Sequence, residues 1–385
     1  MARPNRPDRA LAAVLLAGAA LVACRAGAEE APGPTAPAAR WTESIDVRGL
    51  LSASFGHSFA RPASGTNQLR AFDVDDGSIR LDVAALVVEK PAEEPGEAGL
   101  RLDALAGSSL PRATAADGLF RDPETGEAGD FDLLQAYVRW VAPVGGGLRL
   151  DAGKFVTSFG VEPIEGPDGW GDHATHSFLF TLSEPTTHTG LRASYAFSDR
   201  FSAELLLVNG WDDAKDRNGA KSFGAGVTIV PGGGATLTAT VMTGPERAGD
   251  SSSRRTLVGL AAEISPRGAV AGGVNFERGE EEGLGEEGAT VSWWGVAAYA
   301  RWAPTRSLAL ALRAERFEDP DGARSGTAQA LHALTLTPAL TLAPGLVVRA
   351  DLRLDLSDEP VFEDADGLFT RKSQPTVLLN ALYAF

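Results

Sequence analysis

Four short stretches of the chain place an arginine and an aspartate two residues apart between apolar neighbours. They are Ile79-Arg80-Leu81-Asp82, Leu100-Arg101-Leu102-Asp103, Leu148-Arg149-Leu150-Asp151 and Leu352-Arg353-Leu354-Asp355, and Arg349 and Asp351 repeat the spacing just before the last. In an extended chain, residues i and i+2 share a face while their neighbours take the other. Such a face offers charge: ion pairs that brace a wall, or a field that sorts dissolved ions along a water-filled bore. A carboxylate-rich stretch with no strand pattern, carrying Glu162, Glu165, Asp168 and Asp172, could narrow that bore. Three other constellations are less specific. His173 and His176, with Asp172 beside them and His188 further on, have a metal-like spacing, yet loop histidines are more often simply solvated. Asp212, Asp213, Asp216 and Asn218 are rich in oxygen but miss the spacing of a calcium loop. Gly56-His57-Ser58-Phe59-Ala60 is one residue short of an esterase nucleophile elbow and does not lead into a helical pattern. No phosphate-binding glycine loop, zincin motif or cysteine pair occurs in the sequence. The residues therefore predict neither catalysis, nor a bound metal, nor a cofactor.

The elements that must carry these charges are strands. From Ile45 onward the dominant period is two, most clearly at 346–356. There Leu346, Val348, Ala350, Leu352, Leu354 and Leu356 share one face, and Arg349, Asp351, Arg353 and Asp355 share the other. The same alternation appears at 79–87, 100–106, 134–140, 191–197, 201–207, 223–229, 258–264 and 308–312. It is weaker at 45–55, 148–154, 235–243, 268–276, 291–302, 327–337 and 374–385. This predicts an all-β, transmembrane antiparallel barrel of about 16 strands (14–18), whose charged face must be the lumen, since a charge in lipid costs ~2–4 kcal/mol at the midplane.

The connections support a barrel whose ends face different compartments. Every second one is short: 142–147, 198–200, 231–234, 265–267 and 303–306, with longer turns at 88–99 and 338–345. Those between are long and polar: 56–78, 107–131, 155–187, 209–221, 244–256, 277–290, 318–326 and 357–373. Short periplasmic turns and long extracellular loops are what an outer-membrane barrel has. Trp140, Tyr195, Phe197, Phe201, Tyr299, Trp302 and Phe317 lie near strand ends, where aromatic girdles belong.

Composition agrees. Hydrophobic residues make up 44% of the 385, too few for a helical membrane protein, and glycine (44) far outnumbers methionine (2). The formal charge of −16 excludes nucleic acid as a partner and would enrich cations at a pore mouth. Arg3, Arg6 and Arg9 precede an apolar run from Ala10 to Val22, which reads as a signal peptide over 1–28, cleaved after Ala26-Gly27-Ala28. Leu21-Val22-Ala23-Cys24 is a competing lipobox around the only cysteine. Residues 29–44 read as a disordered periplasmic linker and 45–385 as the barrel. At the other end Val377, Leu379, Ala381, Tyr383 and Phe385 alternate up to a terminal aromatic, which looks like the signal, with Tyr383 and Phe385 at its core, that barrels present to their assembly machinery.

A succession of short motifs resembles one family. They are Leu69-Arg70-Ala71-Phe72-Asp73, Asp151-Ala152-Gly153-Lys154-Phe155 with Phe159-Gly160-Val161-Glu162, and Ser177-Phe178-Leu179-Phe180. Glu184-Pro185 to His188-Thr189-Gly190 and Val208-Asn209-Gly210-Trp211-Asp212 to Asn218 complete the set. Their order and spacing are similar to the putative β-barrel porin-2 (OmpL-like) group. The resemblance implies an outer-membrane porin for small hydrophilic solutes or ions, surrounded by outer-membrane lipids, with a homotrimer as a possible assembly. It brings no catalytic residues. Two other readings stay open: a closed barrel acting through its loops in adhesion or as a receptor, and a barrel esterase built on Ser58 and His57.

Overall fold

The computed structural model describes residues 44–70, 72–110, 119–121, 129–265 and 268–385. The expected signal peptide (1–28), its lipobox (21–24) and all of the 29–44 linker but Ser44 lie outside the described residues, as does Ala71 of the family motif.

The period-two segments are strands: β1 (Asp46–Ser58), β2 (Ile79–Lys90), β3 (Ala98–Ala106), β4 (Phe131–Ala142), β5 (Leu148–Val156) and β6 (Thr187–Ser198). They continue as β7 (Phe201–Val208), β8 (Ser222–Gly232), β9 (Ala235–Pro245), β10 (Arg254–Ile264), β11 (Val270–Glu281) and β12 (Val291–Trp302). The last are β13 (Leu308–Asp319), β14 (Gln329–Ala343), β15 (Leu346–Ser357), a small hairpin β16 (Phe362–Glu363) and β17 (Phe369–Arg371), and β18 (Ser373–Ala384). β1 to β15 pair in chain order, and β18 joins β15 to β1, closing an antiparallel barrel of sixteen strands. The seam runs from Leu50 opposite Ala384 to Ser58 opposite Thr376. The expected count and closure are both met.

Alternation decides the faces. On β15, Arg349, Asp351, Arg353 and Asp355 are buried in the bore, while Leu352, Leu354 and Leu356 are 39–49% exposed on the outside. Such an outer face is apolar because it meets lipid, and each charge turned inward avoids the cost of leaving water unpaired. In β2 the alternation is broken by a bulge opposite Ser52/Ala53. Ile79 and Leu81 point out, but Val83, Ala85 and Val87 point in, because one extra residue reverses every side chain beyond it. The sequence had put all five on one face.

Two other boundaries moved. β13 runs past Leu312 to Asp319, and β14 continues through Pro338, leaving only Pro344-Gly345 as its turn. Pro338 has no amide to donate, yet the β14–β15 register holds across it, with Leu336 opposite Leu352 and Ala339 opposite Arg349. Among the aromatics, Trp140, Phe197, Phe201 and Trp302 are exposed near the short-turn end, and Tyr195 stacks edge-on against Phe197. Tyr299 and Phe317 are corrections: both face the bore, Phe317 fully buried and Tyr299 hydrogen-bonded to Glu162.

Candidate functional site

The loop between β5 and β6 (157–186, here the strap) crosses the bore. Its own sequence explains why it goes in. Ile164 and Trp170 pack against a cluster on β1 to β4 made by Leu50, Val83, Ala85, Leu105 and Leu134. Phe159, Phe178 and Leu182 pack against the opposite wall, on Leu206, Met242, Leu257, Trp293 and Phe317. Each such side chain withdrawn from water contributes about 1.5–3 kcal/mol. Between these anchors the strap makes one π-helical turn, Leu179–Ser183, lying against β11 and β12.

The four carboxylates singled out in the sequence each find a wall arginine. Glu162 lies 3.5 Å from Arg313 of β13 and accepts from Tyr299 (2.8 Å), His176 (3.1 Å) and the amide of Ser177 (3.0 Å). Glu165 is paired with Arg349 of β15. Asp168 bridges Arg48 of β1 (2.6 Å) and Arg101 of β3 (2.5 Å), and Asp172 meets Arg301 of β12 at 3.0 Å. Burial opposes the charge on Glu162, but Arg313 and the hydrogen bonds outweigh it and hold the carboxyl well below its usual range. Wall groups also grip the strap's backbone. Asp351 accepts from the amide of Thr175 (2.7 Å), Glu315 accepts from that of Phe178 (2.5 Å), and Arg313 donates to the Thr175 carbonyl (2.6 Å). Ionised groups this deeply buried are tolerated only because they are paired and hydrogen-bonded. From the long-loop end, Arg324 reaches down to the Leu182 carbonyl (2.5 Å), while Trp211 lies between Arg324 and Arg255 at 5.3 and 4.8 Å.

The Arg–Asp spacings are thus partly as expected. Arg80–Asp82 (3.0 Å), Arg101–Asp103 (2.8 Å) and Arg353–Asp355 (2.7 Å) pair along one strand. Asp151 instead takes Arg139 and Arg192 from the neighbouring strands, both at 2.7 Å, leaving Arg149 exposed and, among the described residues, without an ion-pair partner. Asp351 is likewise held by Thr175 and Thr337 rather than by Arg349, which turns to Glu165 and Asn380. Sequence reasoning missed Arg313, Glu315 and Arg70. The first two continue the β13 alternation past Leu312, and Arg70, quoted only as part of a motif, dips from the β1–β2 loop to pair with Asp355 at 2.6 Å.

The other constellations dissolve. His173 hydrogen-bonds Thr337 (2.7 Å), His176 stacks on Phe180 (4.0 Å) and His188 faces Gly210 and Thr157, so the three serve different partners. Burial and nearby Arg313 push His173 down to about 3, so it is neutral. Asp212 accepts from the amides of Thr186 and Thr187, Asp213 pairs with Arg217, and Asp216 accepts from Asn218 and Gly219. Among the described residues no group of three or more such side chains could hold a metal ion. Ser58 is fully buried on the inner face of β1, whereas His57 points outward and pairs with Asp76 at 3.3 Å. That geometry cannot pass a proton from serine to histidine.

Two cavities remain on the short-turn side of the strap. One, about 540 Å³, runs along β5 to β9 and is lined by Arg149, Glu204, Glu93 and the hydroxyls of Ser194, Ser202, Thr228, Thr238 and Thr240. The other, about 340 Å³, lies beneath Glu162 and His173 and is lined by Glu263, Asp172, Arg301 and Tyr299. With the pairs Asp172–Arg301 and Glu162–Arg313 set aside, Glu93, Glu204 and Arg149 in the first cavity and Glu263 in the second are the acidic and basic side chains without an ion-pair partner, among the described residues.

Comparison with known proteins places this geometry. The family model described as putative beta-barrel porin-2, OmpL-like, matches residues 44–385. Nothing among curated protein sequences matches the chain. Solved structures share its fold at low identity. OprB of Pseudomonas putida superposes with a TM-score of 0.60 and 12% identity over 89% of this chain and 95% of its own. The anion-selective porin of Comamonas acidovorans gives 0.57 and 12% over 89% and 99%. A trimer form of OmpT from Vibrio cholerae gives 0.57 and 11% over 89% and 99%.

Proposed function

We propose that this chain, which belongs to the putative β-barrel porin-2, OmpL-like family, passes small hydrophilic solutes across the outer membrane and prefers cations. Family membership makes it a porin-like outer-membrane channel. The cation preference is carried by one observation: in the two cavities below the strap, carboxylates without a partner (Glu93, Glu204, Glu263) outnumber such guanidinium groups (Arg149). The Comamonas acidovorans relative is anion-selective, so the fold alone does not decide the sign. A unit charge about 7 Å from a permeating ion in water is worth about 0.6 kcal/mol, close to a threefold change in occupancy. In planar bilayers under a salt gradient, Glu204→Gln with Glu263→Gln should lower the cation-to-anion permeability ratio by up to about sevenfold per charge removed, since the cation loses and the anion gains about threefold, and Arg149→Gln should raise it. Reversal potentials that do not move would sink the assignment of selectivity to these groups.

The pore-lining pairs Arg80–Asp82, Arg101–Asp103 and Arg353–Asp355, with Arg149, Asp151, Arg349 and Asp351, serve in this reading as the charged wall, and Glu162, Glu165, Asp168 and Asp172 as the constriction. No catalysis is assigned. Export through the 1–28 signal, reading of the Tyr383–Phe385 end by the barrel-assembly machinery, and a homotrimer like the OmpT trimer form complete the proposal. The packed long-loop half of the bore favours one second reading, a barrel that works through its loops, and a folded protein that inserts but carries no current would select it.

A further inference from the structure

Where the strap leaves the bore, two buried carboxyl groups meet with no cation in reach. Glu184 follows the π-helical turn, and Glu277 projects inward from β11 beside it, so that the two carboxyl groups act directly on each other. They are 6% and 0% exposed. Each keeps one buried oxygen, Oε2, outside the hydrogen bonds of the structure, and the hydroxyl of the fully buried Ser183 lies against Glu277. Asn275 donates to Glu277 Oε1 at 3.1 Å. The backbone closes over the pair at Gly160, where any Cβ would collide with the Glu184 carboxyl.

The charged groups around the pair make it worse. The strap contributes Glu162, which acts on both, and the β7–β8 loop contributes Asp212, which acts on Glu184. The nearby guanidinium groups are engaged elsewhere: Arg313 with Glu162 and Glu315, Arg255 with Glu281, and Arg324 with the Leu182 carbonyl. β12 brings Trp293, Gly295 and Ala297 to this part of the bore, with Tyr299 beyond them on Glu162. No ion pair joins Glu184 or Glu277 to a cation among the described residues. Two carboxylates facing each other away from water cannot both be ionised.

We propose that Glu184 and Glu277 form a proton-binding site and that the single proton they share latches the strap to the barrel wall. Burial first, and the neighbouring Glu277 second, hold Glu184 well above the usual carboxylate range. The sign follows from linkage. The docked strap binds a proton that a released, hydrated strap would give up, so docking is complete at acid pH and is lost as pH rises through the pair's own titration. Like charges then part, and the strap loosens from β11. The consequence for conduction rests on the channel reading above, but the latch itself does not.

The test uses the full chain refolded in bilayers. Amide hydrogen exchange over 157–186, corrected for its intrinsic pH dependence, is followed beside single-channel conductance, at about pH 5 and about pH 9, on either side of the range where buried carboxyls titrate. Wild-type strap amides should lose protection at least about tenfold at the higher pH, with a rise in conductance. Glu277→Gln, whose amide donates to Glu184 without titrating, should stay protected at both. Equal protection of the wild type at both values, or a Gln variant that still switches, would overturn the shared proton. So would protection that disappears when sodium is replaced by choline, since the ligand would then be a metal cation. An exchange switch without current at either pH would uphold the latch and remove the channel reading instead.

Discussion

Replacing residues 158–185 with a short Gly-Ser linker is expected to raise single-channel conductance on the order of fivefold, because a sixteen-strand barrel leaves an aqueous channel unless something fills it. The replacement is geometrically easy. Val156 and Thr187 already lie opposite each other, so a short link closes the hairpin without moving β5 or β6. The ladders from β4 to β7 do not involve the strap. What leaves is the material that packs both sides of the bore, Ile164 and Trp170 on one wall and Phe159, Phe178 and Leu182 on the other. Trp293, Phe317 and Leu257 would then meet water, at about 1.5–3 kcal/mol for each apolar side chain re-exposed. Arg353 keeps Asp355 and Arg313 keeps Glu315, whereas Arg349 and Arg301 lose Glu165 and Asp172 and would be left to the water that enters. The variant should therefore be less stable yet still heat-modifiable as a barrel. Its cation preference should also weaken, since ions would pass farther than a Debye length of about 8 Å from Glu204 and Glu263. Conductance unchanged by the excision would mean that the strap is not the restriction.

The two walls that the strap bridges differ in how far the sequence revealed them. β15 was readable because its charges fall on alternate residues through most of its length, so one face had to be wet or paired. The upper bore of β7 to β13 was not readable. There Leu206, Val208, Met242, Leu257, Trp293 and Phe317 point inward, and their outward neighbours Leu205, Leu207, Val241, Val258, Trp294 and Arg316 are mostly apolar as well. A strand apolar on both faces reads as a strand but does not say which face is lumen. Its meaning depends on a distant partner, the strap, and pairings of that range leave no local period. Four of the five strap carboxylates could be found because acid side chains in a loop without a strand pattern are conspicuous. Their partners could not, since Arg48, Arg101, Arg301, Arg313 and Arg349 come from five different strands. Nor could the loss of the Arg149–Asp151 pair be foreseen: it depends on Arg139 and Arg192 lying across from Asp151 on adjacent strands. Bulges set the remaining limit, as at β2, where one inserted residue exchanges inside for outside.

Deletion of Phe385 is expected to cut the amount of assembled barrel in cells by roughly tenfold or more while leaving refolding in detergent nearly unchanged, because the seam bonds at stake are worth only about 1 kcal/mol each. Phe385 exchanges two backbone hydrogen bonds with Gly49, both 2.9 Å, and its ring covers that glycine. It stacks on Tyr383 at 6.2 Å, and the two are 63% and 44% exposed. An exposed ring at the rim is not there to fill a core. The barrel would still close through the pairs from Leu50↔Ala384 to Ser58↔Thr376. A structural role and a recognition role therefore separate by a second variant. Gly49→Val displaces the ring from its seat but leaves the terminal sequence intact. If Phe385 acts by sealing the seam, both variants should lower refolding in detergent as much as assembly in cells. If the terminal strand is read by the assembly machinery, only the deletion should fail, and only in cells, because what it removes is the residue to be recognised and not the contact it later makes.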